Sequence, residues 1–218
     1  YTVCGAAIPG TPRAGEGGFN ESRLDGNNDG VFEEIDQACG DIPFINHAKT
    51  FISATQQPDL TWSVLYRITV ANVGGVTGQY SLQDQPGFDD DIAINSASFV
   101  STLDPSTVLA ATPWTLATNR SLAAGASHVY TLTANVALDL AAGSGGDNVY
   151  TSCGATNNGD PQAGEGLFNV ASLDRNADGV FDVDSDDCGN ITTLTHSKQF
   201  VSASPAANAT WDVIYRIV

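Results

Sequence analysis

The first 69 residues of this chain return, without a gap, from residue 150 to residue 218, so whatever fold it takes must build the same local structure twice. YTVCGA is answered by YTSCGA, AGEGGFN by AGEGLFN and WSVLYRI by WDVIYRI, while DGVF returns unchanged, all at an offset of 149 residues (150 minus 1). Self-similarity at a fixed period marks a tandem array in which each unit is one packed structure. The spacing predicts three segments. Residues 1–40 are the C-terminal part of a preceding repeat, 41–190 a complete repeat, and 191–218 the N-terminal strands of the next.

The four cysteines obey the same period. Cys4 and Cys39 are 35 residues apart, as are Cys153 and Cys188. None forms the CxxC pair of zinc or redox sites, so each pair most simply closes its own loop as a disulfide. Disulfides imply an oxidising compartment, which places the protein outside the cell or at its surface.

Between the copies, TWSVLYRITVAN sets Trp62, Val64, Tyr66, Ile68 and Val70 on one face, and SHVYTLTANVAL does the same with Tyr130, Leu132 and Val136. Period-2 alternation is the mark of a half-buried strand. VGGVTG, QPGFDDD, LAAGAS and AGSGGD supply turns, and no window offers an amphipathic helix of useful length. The expected fold is all-β, a β-sandwich.

Charge narrows the partners. With 8 Lys plus Arg against 25 Asp plus Glu, the formal charge is −17, which disfavours nucleic acid and anionic membranes and favours cations. No apolar run is long enough to span a bilayer or serve as a signal peptide, so the chain reads as a mature or excised piece.

From Phe44 onward the order is an HAKTF strand, YRITVANVGG, SLQDQPGF, LAAGASHVYTLTANV and LFNVASLD. This order resembles the repeat known as domain of unknown function eleven, an immunoglobulin-like module found in tandem in bacterial and archaeal surface proteins. The resemblance covers roughly residues 44–173 and puts Lys49, Asn72, Asp84, Gly125 and Asn169 at its motif positions. It implies Ig-like sandwiches in tandem.

The resemblance leaves the acidic loop LDGNNDGVFEEID unexplained. Calcium takes six to eight oxygens, and a loop with ligands at positions 1, 3, 5, 7, 9 and 12 and Gly at 6 can wrap it. The first copy supplies Asp25, Asn27, Asp29, the Val31 carbonyl, Glu33 and Asp36 around Gly30. The second supplies Asp174, Asn176, Asp178, the Val180 carbonyl and Asp182 around Gly179, but Ser185 stands at position 12, so Asp184 or Asp186 must substitute. An exposed acidic turn is the competing account; against it, the ligand positions recur while Gly26/Arg175 and Asn28/Ala177 differ. One calcium ion per repeat, beside a disulfide, is the expectation.

Lys49 and Lys198 are the only lysines, at equivalent positions on a first strand. Ig-like domains of Gram-positive pili can join such a lysine to an asparagine on the last strand with a carboxyl assisting, and Lys49, Asn169 and Asp84 have that topology. A lysine snorkelling from an edge strand is the alternative. His47 and His196 recur without a partner ligand at metal spacing. Trp62 and Trp211 read as core, while Trp114 in ATPWTL is freer to meet a ligand. No nucleophile elbow, HExxH or phosphate loop occurs, and Ser127 with His128 lies in ordinary strand context. The function expected is therefore non-enzymatic: a calcium- and disulfide-stiffened repeat of an extracellular stalk, filament or adhesin, partnered by neighbouring repeats or subunits. A carbohydrate- or ligand-binding accessory module is the alternative.

Overall fold

The computed structural model describes residues 2–138, 152–154, 158–191 and 197–218; the His196 expectation falls outside them. Their regular structure is β throughout, apart from a single 3-10 turn at Ala207–Ala209. The strands are β1 (Asn20–Leu24), β2 (Glu34–Ala38), β3 (Ile45–Gln56), β4 (Trp62–Asn72), β5 (Gly78–Pro86), β6 (Ile92–Ser101) and β7 (Thr107–Leu109). They continue with β8 (Trp114–Leu122), β9 (Ser127–Leu138), β10 (Asn169–Asp174), β11 (Val183–Asp187), β12 (Lys198–Pro205) and β13 (Trp211–Ile217).

Two antiparallel sheets face each other across one core. The first has the order β3-β4-β9-β6-β7 and the second β11-β10-β5-β8. The alternation read from the sequence sets what lies between them. Trp62, Val64, Tyr66, Ile68 and Val70 of β4 point inward, as do Tyr130, Leu132, Ala134 and Val136 of β9. They meet Tyr80 and Leu82 of β5, Trp114 and Leu116 of β8, and Ala171 and Leu173 of β10. Full burial of a large apolar side chain contributes about 1.5–3 kcal/mol, so this cluster dominates the stability of the sandwich. The buried hydroxyls find partners within it: Tyr66 donates to the Leu167 carbonyl, and the Tyr80 and Tyr130 oxygens lie 2.6 Å apart.

Asn72, at the end of β4, is buried and fully used. Its Nδ2 donates to the Val76 and Leu122 carbonyls at 2.8 and 2.9 Å, and its Oδ1 accepts from Phe44 and Gly74. One amide thus ties three connections to one corner of the sandwich, which is why a side chain with two donors and an acceptor stands there. Beside it, the Gly125 backbone N–H donates to the Asn72 carbonyl at 2.8 Å.

β3 is an edge strand tied to the opposite sheet by hydrogen bonds that involve side chains of both. The backbone N–H of Lys49 donates to Ser185 Oγ at 2.9 Å, that of Phe51 to Asp187 Oδ2 at 2.7 Å, and the His47 imidazole Nε2 to the Ala171 carbonyl at 2.9 Å. β3 is thereby fastened to β10–β11 without a ladder, and the exposed edge is blunted.

The other two sheets are hairpins, β1–β2 and β12–β13. β1–β2 pairs Asn20 with Ala38 and Leu24 with Glu34, which at the 149-residue offset is the register of β10–β11, Asn169 with Asp187 and Leu173 with Val183. β12–β13 carries a register shift between Phe200 and Ser202, matching the shift between Phe51 and Ser53 in β3–β4. Their environments differ. Leu173 is 0% exposed and Leu24 56%; Trp62 is 8% exposed and Trp211 62%.

Candidate functional site

Both disulfides form as the spacing predicts, Cys4 with Cys39 and Cys153 with Cys188. Each is clamped by the glutamate of the AGEG motif, a role invisible in the linear sequence because a lone Glu among glycines reads as solvated. Glu16 is buried, its carboxylate accepting from the Gly5 and Ala7 backbones at 2.8 and 2.9 Å; Glu165 accepts from Gly154 at 2.7 Å. Backbone donation from Ala7, opposed by desolvation and joined by donation from Gly5, holds the Glu16 carboxyl below its ordinary range. The glycine after each glutamate is obligatory. Gly17 sits at φ +47°, where an added Cβ would come within 2.6 Å of the Gly40 carbonyl oxygen, and Gly166 at φ +46° meets the Gly189 oxygen at 2.9 Å.

The acidic loops lie between the strands of the two matching hairpins. In the first, Asp25 receives backbone N–H bonds from Asn27, Asn28, Asp29 and Gly30, and Asp29 Oδ1 accepts from Val31 at 2.8 Å. Desolvation opposes ionisation of Asp25, but these donors prevail and keep its carboxyl below the usual range. Carboxylate oxygens of Asp25, Asp29 and Glu33 lie within 4.8 Å of one another, and Asn27 bonds to Asp29. Asp36 stands apart in β2, opposite Ser22.

The second loop keeps the cradle but gathers less. Asp174 accepts from Asn176, Asp178 and Gly179, and Asp178 Oδ1 accepts from Val180 at 2.8 Å. Arg175, which replaces Gly26, draws Asp182 to a 3.8 Å ion pair. Asp184 and Asp186 are held in β11 opposite Ser172 and Val170, while Ser185 is engaged by the Lys49 backbone. Among the described residues, only Asp25, Asp29 and Glu33 form an acidic cluster of metal-binding size.

The third constellation lies inside the sandwich. Lys49 and Asp84 side chains are both 0% exposed and form a direct ion pair, with Lys49 Nζ 4.8 Å from the centroid of the Tyr66 ring. Asn169 is also 0% exposed. Asp84 pairs with Ala171 across β5–β10, which puts Asn169, two residues earlier on β10, on the same face and diagonal to Asp84. Asp84 Oδ1 and both polar atoms of the Asn169 amide complete no hydrogen bond of good geometry. Burial pushes the Lys49 ammonium below its ordinary pKa despite the opposing pull of Asp84. Burial likewise pushes the Asp84 carboxyl up, against Lys49 and a lesser effect of the adjacent Asn169 amide. Both shifts favour a neutral pair.

Trp114 departs from expectation. It is 2% exposed, packed in the core from β8, and does not present its ring to a ligand. His128 Nδ1 lies 2.8 Å from the Tyr80 hydroxyl, in a partly buried polar contact rather than in a nucleophile pair with Ser127. Among the described residues no helix is long and apolar enough to cross a membrane. Comparison with protein-family models, curated proteins and solved structures finds no match for this chain.

Proposed function

We propose that this chain is a non-enzymatic structural segment of an extracellular stalk, filament or adhesin, built from Ig-like sandwiches in tandem and stiffened at its junctions by calcium and disulfides. The observation that carries the reading is one set of residues in two environments. β10–β11, with its disulfide and acidic loop, completes the four-stranded sheet, while the matching β1–β2 hairpin stands outside any sandwich with Leu24 and Ile35 exposed. β12–β13 likewise exposes Trp211, Val213, Tyr215 and Ile217, whose counterparts Trp62, Val64, Tyr66 and Ile68 are core. Faces of this kind suit a neighbouring repeat or subunit that supplies the remaining strands.

Calcium is the cation that the loop chemistry favours: hard oxygen ligands, an excess of negative charge, and a Gly at the turn. Neutralising Asp25, Asp29 and Glu33 would relieve the repulsion among three carboxylates held within 4.8 Å. The two disulfides fit an oxidising, extracellular setting.

The test is solution scattering of the oxidised chain in calcium and in excess chelator. A longer maximum dimension with a narrower distance distribution in calcium supports stiffened junctions. Identical profiles would refute the role given to the ion.

A further inference from the structure

Beside the buried Lys49–Asp84 ion pair the sandwich interior holds a third polar side chain, Asn169, that an ordinary buried ion pair does not need. Two charges withdrawn from water are tolerated when the remaining lone pairs and protons are satisfied. Here Asp84 Oδ1 and the Asn169 Oδ1 and Nδ2 atoms are left unsatisfied, in a site walled by Tyr66 and reached by no solvent. Unpaired buried polar atoms call for an explanation such as a chemical role. A desolvated lysine beside a carboxyl and a carboxamide is a nucleophile, a proton carrier and an electrophile in one place.

We propose that Lys49 and Asn169 are joined by an intramolecular isopeptide bond that forms spontaneously once the sandwich has folded, with Asp84 carrying the proton. Lys49 passes a proton to Asp84 and becomes a free amine. Its Nζ attacks Asn169 Cγ while the Asp84 acid donates to the amide; the Nζ–Cγ bond forms and the Cγ–Nδ2 bond breaks. The proton shed by Nζ returns to Asp84, and Nδ2 leaves as ammonia. Atoms and charge balance without oxidant, metal or cofactor, and the product is a secondary amide hydrogen-bonded to a protonated Asp84. The bond would tie β3, an edge of the five-stranded sheet, to β10 in the opposite sheet, across 120 residues of chain (169 minus 49). This inference stands on the single sandwich and does not depend on reading the chain as a stalk.

The molecule carries its own controls. Asn20 and Lys198 are the equivalents of Asn169 and Lys49, but both are exposed, and among the described residues Lys198 makes no ion pair. The test is intact mass under denaturing conditions of the folded, oxidised chain after prolonged incubation at neutral pH, followed by peptide mapping. The expected mass is short by one ammonia beyond the hydrogens lost to the disulfides, with the Lys49 and Asn169 peptides recovered as one branched species. Lys49→Met, Asn169→Ala and the isosteric Asp84→Asn each restore the full mass, whereas Asn20→Ala and Lys198→Met keep the deficit. A full mass for the wild-type chain with a cooperative melt overturns the proposal. So does a deficit that maps elsewhere, such as a succinimide at Asn158–Gly159. A deficit retained in a folded Asp84→Asn chain removes Asp84 from the mechanism.

Discussion

The two acidic loops have the same sequence logic but unequal mechanical connection to the core, and this makes calcium linkage separable. In the second copy the loop leaves directly from Leu173 and Asp174, 0% and 1% exposed, and Asp174 pairs with Ser81 of β5. An ion bound there is lost when the sandwich melts. In the first copy the loop leaves from Leu24, 56% exposed, in a hairpin that belongs to neither large sheet. An ion there stabilises the hairpin alone. Sites of extracellular modules bind calcium at about 10⁻⁴–10⁻³ M, so ~10 mM calcium reaches up to about 100 times Kd. A ligand at that ratio that binds only the folded state adds about 2.7 kcal/mol. For a domain of this size that is a rise in Tm of roughly 5–10 °C. The diversion of Asp182 to Arg175 argues for the lower end. The assay is calorimetry of the oxidised chain in calcium and in chelator, with Asp178→Ala and Asp29→Ala as the matched pair. Asp178→Ala should abolish the calcium-dependent rise of the main transition, and Asp29→Ala should leave it. Equal Tm values in calcium and chelator, or loss of the rise in Asp29→Ala alone, would refute the reasoning.

Leu132→Ala, in the middle of β9 and 0% exposed, should cost about 2–5 kcal/mol by urea titration, because the rigid surroundings cannot close the cavity. Replacing Cys153 and Cys188 by serine opens a 35-residue loop and should lower the main transition by about 2–4 kcal/mol, while the Cys4/Cys39 pair should leave that transition nearly unchanged; equal losses would show that β1–β2 is part of the same cooperative unit. Desolvation holds the His47 imidazole below its ordinary 6.5, opposed by its bond to Ala171 and by Asp184, with Lys49 and Arg175 adding to the depression. The unfolded state then binds more protons, so the His47 contribution is complete above pH 6.5 and lost as pH falls toward the folded value. His47→Gln should flatten the urea midpoint of the chain between that pH and mild acid relative to wild type.

The parts of this fold legible in the sequence are those with an unbroken period. β4 and β9 pair with each other residue for residue from Trp62 to Ala71, and their alternation survives intact in the burial pattern. β8 was hidden because its register against β5 shifts twice near Leu82, which breaks the alternation and left Trp114 looking free when it is core. The Lys49, Asp84 and Asn169 positions could be named from motif order, but their convergence depends on β5 and β10 being neighbours, a long-range pairing that no local pattern encodes. Glu16 and Glu165 recur in the repeat without betraying a purpose, since backbone donors they satisfy lie 9 to 11 residues upstream. Arg175 looked like drift from Gly26, and its effect on Asp182 appears only when side chains have positions.

The duplicated hairpin separates what local sequence decides from what packing decides. A two-stranded hairpin is marginal in water on its own, yet β1–β2 keeps the register of β10–β11 with every residue of β2 exposed. Packing therefore does not set that register. What the hairpins share is the disulfide below the strands, the buried glutamate clamp beside it, and the loop whose aspartates gather backbone N–H groups around Gly30 and Gly179. A slip by one residue would move Cys39 away from Cys4 and reverse the facing of Leu24. The hairpin thus holds its register with no sheet beside it, and pairing it with one would cost little further ordering entropy, since its turn and base are already fixed. Such an edge suits assembly from repeated parts.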